Sequence, residues 1–68
     1  MLTDLINAIP GVTDASVFHD DDGWWSVSGK YGGVEFTYRT SFEAGHEVEA
    51  ARQVAILLGA EHPEVNVG

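Results

Sequence analysis

Apolar positions recur along this chain with two different periods. Leu2, Leu5, Ile6 and Ile9 follow the three-and-four spacing of a helix face, which predicts a short amphipathic helix over 2–9. Pro10-Gly11 ends it, because proline restricts the residue before it and glycine permits a sharp exit. Beyond that point the period shortens to two. Residues 14–20 read as a strand centred on Val17 and Phe18. Residues 24–31 read more clearly, with Trp25, Val27 and Tyr31 on one face and Trp24, Ser26, Ser28 and Lys30 on the other. Residues 34–40 repeat the pattern, setting Val34, Phe36 and Tyr38 against Glu35, Thr37 and Arg39.

The joints between the strands carry their own information. Gly32-Gly33 is the two-residue connector of a type I′ turn, in which both positions need φ > 0. It pairs Tyr31 with Val34, Gly29 with Phe36, Val27 with Tyr38 and Trp25 with Thr40. On the other face Lys30 meets Glu35, Ser28 meets Thr37 and Ser26 meets Arg39. The first face is aromatic and aliphatic and the second small and polar, so one face of the sheet should be covered. Gly29 leaves a gap that Phe36 would fill. Asp21-Asp22-Gly23 fits a three-residue hairpin loop with glycine at the left-handed position, which pairs Asp20 with Trp24 and Val17 with Val27 and turns Phe18 outward. A two-residue Asp22-Gly23 turn would instead send Phe18 inward.

Thr40-Ser41-Phe42-Glu43 has the spacing of a capping box, hydroxyl at the N-cap and carboxylate at N3. The spacing predicts a second helix from there to Leu58, stopped by Gly59, with Ala44, Val48, Ala51, Ala55 and Leu58 as its core stripe. Ile56 and Leu57 fall outside that stripe and are candidates for contact with the first helix or a second subunit. Val65 and Val67 alternate, so 64–67 is a candidate edge strand. The expectation is a single α+β domain over 1–68: a short N-terminal helix, a three-stranded antiparallel meander, and a long C-terminal helix on one sheet face.

Composition sharpens this picture. Sixty-eight residues without cysteine can bury little apolar surface and have no disulfide to help. No apolar run approaches the roughly 20 residues of a membrane span, and the opening "MLTDLINAIP" lacks the basic region of a secretory signal, so a cytoplasmic location is expected. Eleven Asp and Glu face only Lys30, Arg39 and Arg52, a formal net charge of −8. Such a chain repels nucleic acid and anionic membranes and attracts basic surfaces. Solubility or adaptation to high salt is the bland explanation.

Reactive chemistry finds little to build on. Asp20, Asp21 and Asp22 are consecutive, whereas calcium loops alternate their oxygen ligands and add a distant glutamate. His19, His46 and His62 do not pair at ligand spacing. No serine sits in a nucleophile elbow, the Glu43/Glu47 pair has no evident apolar pocket around it, and "SGKYGGVEF" lacks the phosphate-loop order. Neither an enzyme, a cofactor nor a metal is expected. The aromatics at 25, 31, 36 and 38 share the covered face and belong to the core. Trp24, on the polar face beside the acidic loop, is the aromatic best placed for a partner.

The register brings residues 40–41 back beside 24–25, so the acidic loop and the start of the long helix share one edge. Asp20, Asp21, Asp22, Glu43 and Glu47 should gather there, with Glu49 and His46 around the helix. Glu43 and Asp22 have structural roles as cap and turn residues. Three aspartates in succession with no neighbouring Lys or Arg repel one another, however, and a cationic partner would relieve that cost. Asp20, Asp21, Asp22, Trp24, Glu43, Glu47 and Glu49 are therefore the candidate partner-binding residues.

The single acidic α+β domain, the "HDDDGWW" loop and the helix start "TSFEAGHEVEA" give the whole chain a resemblance of type to the small phage-encoded anti-CRISPR proteins that inhibit type I surveillance complexes. That resemblance implies a DNA mimic occupying the basic groove where a CRISPR effector reads the PAM duplex, in the host bacterial cytoplasm. Two other readings stand beside it. One is a small homo-oligomeric module, joined through Ile56 and Leu57 or the Val65/Val67 tail, whose acidity serves solubility. The other takes "INAIPGVTDASV" as the helix–turn–strand of a ferredoxin-like regulatory domain binding a small ligand.

Overall fold

The computed structural model describes residues 1–65. Its elements run α1 (Leu2–Asn7), β1 (Val12–His19), β2 (Trp24–Tyr31), β3 (Val34–Glu43) and α2 (Glu47–Glu61). The strands form one antiparallel sheet in the order β1-β2-β3. α1 packs on β1, α2 packs chiefly on β3, and the helices pack on each other. This is the α+β arrangement expected from the two periods, with both helices in one layer over the sheet.

The turns fix the sheet. Gly32 and Gly33 both have positive φ, 60° and 86°, and the ladder beyond them pairs Tyr31–Val34, Lys30–Glu35, Gly29–Phe36, Ser28–Thr37, Val27–Tyr38 and Ser26–Arg39. A Cβ at Gly29 would stand 3.3 Å from Phe36 Cε2, so the phenylalanine ring does fill the space. At the other turn, Asp20 N–H donates to Trp24 O over 3.0 Å and Val17 pairs with Val27. The three-residue loop is the one adopted, and Phe18 faces outward, 52% exposed.

β1 begins at Val12, two residues before the expected start, because a bulge resets its phase. The register shifts between Thr13 and Ser16, and Asp14 there takes φ 56°, a left-handed conformation that a short polar side chain tolerates. The bulge lets Val12 be buried while Ala15 and Val17 still pack inward. Asn7 Oδ1 accepts the outward N–H of Ala15 over 3.2 Å, tying α1 to the edge of the sheet.

The main departure from the sequence expectation is at residues 40–46. Thr40 is not a helix cap. β3 continues through Glu43, and the buried Thr40 hydroxyl donates to Trp25 O over 2.9 Å within the sheet. The expected Trp25–Thr40 pair gives way to an irregularity in which Ser26–Arg39 is followed by Trp24–Glu43. Alternation won over the capping box because Tyr38, Thr40 and Phe42 continue the strand's inward face. Gly45, with φ 96°, then turns the chain, and α2 starts at Glu47 behind His46.

The helix phase moves accordingly. Ala50, Val54 and Leu58 are its buried stripe. Val48, placed in the core from sequence, is 54% exposed, and Ala44 and Ala55 are exposed as well. Gly59 is not a stop, since α2 runs on to Glu61, where the carboxylate accepts the Tyr38 hydroxyl over 3.1 Å. Leu2, Ile6, Val12, Val27, Tyr31 and Phe36 complete the core. Glu64 and Val65 lie in a turn and coil rather than the edge strand expected over 64–67, and Val67 falls outside the described residues.

Candidate partner surface at the acidic hairpin

The Asp20–Trp24 loop is built around one carboxylate. Asp20 Oδ1 accepts the N–H of Asp22 over 2.9 Å and that of Trp24 over 3.0 Å, while Gly23 N–H returns to Asp20 O. Gly23 takes φ 85°, as the left-handed loop position requires.

A cation closes this loop, contrary to the sequence expectation. Arg39 stands on the same open face of the sheet one strand away, paired with Ser26. Its Nε meets Asp20 Oδ2, and its Nη2 donates to Asp22 Oδ2 over 2.7 Å. The guanidinium also lies 5.9 Å from the centre of the Trp24 ring. Asp20 and Asp22 thus share one guanidinium, which offsets one of the loop's three negative charges and eases the repulsion between them without removing it. Desolvation pushes the Asp20 carboxyl up, but the Trp24 and Asp22 amides and Arg39 together hold it below its ordinary value. Arg39 is the site residue that sequence reasoning missed. Its signal was the Ser26–Arg39 register, which leaves Trp24 and the loop within diagonal reach of a long side chain.

The other acids gather as the topology dictates, by a different route. Glu43 reaches this end as the strand partner of Trp24, not as a helix cap. Glu47 opens α2, and its carboxylate accepts the Gly45 N–H over 3.2 Å. That bond and the helix-start amide of Glu47 lower its pKa. Glu49 is lowered by its own amide and by His46, whose Nδ1 is 3.4 Å away. Asp21, Glu43 and Glu49 are exposed and Glu47 is half-buried. Trp24, the proposed aromatic contact, is half-buried beneath this arrangement. Beside it Trp25 stacks on His19, with centroids 3.9 Å apart, and keeps a buried indole N–H with no partner among the described residues.

Two hollows flank this end. One, of about 330 Å³, is lined by Trp24, Arg39, Thr40 and Ser41. The other is a more apolar groove of about 450 Å³ between the end of β3 and α2, lined by Phe42, Glu49, Arg52, Gln53, Ile56 and Leu57. Gln53 Oε1 accepts the outward N–H of Ser41 over 2.8 Å, so α2 overhangs the sheet edge here.

No family model matches the chain, and neither the curated proteins nor the solved structures contain a match to it.

Proposed function

We propose that the protein is a non-enzymatic acidic inhibitor that imitates DNA and blocks a basic nucleic-acid-binding site on a host CRISPR effector. The observation that supports this reading is the uneven placement of charge. Asp20, Asp21, Asp22, Glu43, Glu47 and Glu49 are six of the chain's eleven carboxylates, and the Trp24–Glu43 register and the start of α2 bring them to one end. Arg39 offsets one of these six charges, and Asp21, Glu43, Glu47 and Glu49 stand outside its fork.

Magnitude limits what the mimicry can be. The molecule measures 32 Å along its longest axis, a length over which duplex DNA carries roughly 19 phosphate charges at one per about 1.7 Å. A net charge of −8 is less than half of that, so the competition must rest on the concentrated end rather than on the whole surface.

The test is competition between this protein and PAM-containing duplex for a purified type I surveillance complex. Inhibition should weaken steeply from about 50 to about 200 mM salt. It should fall further in the triple variant Asp21→Asn, Glu43→Gln, Glu49→Gln, which leaves the Arg39 fork intact. Full inhibition by that variant would sink the proposal.

A further inference from the structure

We propose that the flank of α2 overhanging β3 is a self-association surface on which a second copy of this chain docks, helix antiparallel to helix. Ile56 is 71% exposed at the rim of the groove beside Phe42, while the core beneath is already closed by Ala50, Val54 and Leu58. Steps of 100° per residue place 49, 53, 56 and 57 on one flank of the helix.

A two-fold axis across α2 near residues 52–53 sets position 56 of each copy against position 49 of the other. Phe42 lines the groove next to 49 and 53, so each Ile56 enters the hollow beside the other copy's Phe42. The charges fit the same operation. Glu49 and Arg52 sit three residues apart with opposite signs, and the antiparallel reversal brings each Arg52 within reach of the second copy's Glu49. A basic segment would meet Arg52 inside the groove, whereas a second copy brings the acid that pairs with it. This selects a second copy over a cationic peptide as the occupant.

The surface is independent of the DNA-mimic reading and shares only Glu49 with it. Its salt response has the opposite sign. Two chains of net charge −8 repel one another, so screening strengthens their association and weakens binding to a basic target.

Sedimentation velocity on the full chain at about 0.05 and about 0.5 M NaCl tests it. The wild type should dimerise, more tightly at the higher salt. Ile56→Asp should weaken association by at least about tenfold, with Ile56→Ser as a milder companion; unchanged far-UV circular dichroism spectra confirm that each is folded. Arg52→Glu and Glu49→Arg should each weaken the dimer, and the double exchange should restore it. A chain that stays monomeric at both salts overturns the proposal. So does a dimer indifferent to Ile56→Asp, or a double exchange that does not recover.

Discussion

Replacing Thr40 by serine separates the two structures that "TSFE" can encode. Thr40 is 2% exposed; its hydroxyl donates to Trp25 O over 2.9 Å and accepts the Phe42 N–H over 3.3 Å. Serine keeps that hydroxyl and deletes one buried methyl group, which costs about 1 kcal/mol. At a helix N-cap, serine is equal to or better than threonine, so the same change would be neutral or stabilising. With an unfolding entropy of about 2.1 cal/mol/K per residue, a chain of 68 residues loses about 7 °C of melting temperature per kcal/mol. Thr40→Ser should therefore melt about 7 °C below wild type. Thr40→Val keeps the shape and removes the hydrogen bonds, at a cost of about 1–2 kcal/mol, and should melt about 7–14 °C lower. Thermal denaturation followed by far-UV circular dichroism reads both. A Thr40→Ser melt at or above the wild-type temperature would refute the sheet role of Thr40 and restore the cap.

Two further substitutions report the phase of α2: Val54→Ala, at a fully buried position, should cost about 2 kcal/mol or more, whereas Val48→Glu should be nearly neutral in a urea titration. The reverse order would return the helix to the stripe expected from sequence. Stability should also fall in acid. Asp20, Glu47 and Glu49 all have folded pKa values below their ordinary ones, so their contribution is complete above the unfolded values near about 4 and is lost as pH falls through the folded ones. Urea midpoints between about pH 6 and about pH 2 should trace that loss, with a shallower slope in Arg39→Gln; equal slopes would show that Arg39 does not hold Asp20.

The sheet was legible because its determinants are local and exclusive. Two consecutive glycines with positive φ leave a single register, and Asp21-Asp22-Gly23 settles the other hairpin once the loop length is known. The start of α2 was not legible, because residues 40–43 satisfy both a capping box and two further steps of strand alternation. The contact that decides between them, Thr40 to Trp25, is fifteen residues away in sequence. Moving the N-cap six residues on, from Thr40 to His46, then rotated the buried stripe from 44, 48, 51, 55 and 58 to 50, 54 and 58. The same limit hid the Arg39 fork. Register fixed its neighbour Ser26, but the diagonal reach from Arg39 to Asp20 and Asp22 depends on the side-chain path and the loop's own closure. The loop's net negative charge is therefore one unit smaller than its three aspartates alone suggest.

The bulge at Asp14 bears on how far this sheet can grow. With the Ala15 amide held by Asn7 and the left-handed Asp14 breaking the ladder, β1 keeps a regular edge from Ser16 to His19. The ladder of β3 runs without a break from Val34 to Arg39. An added strand would thus find a longer regular edge at β3 than at β1.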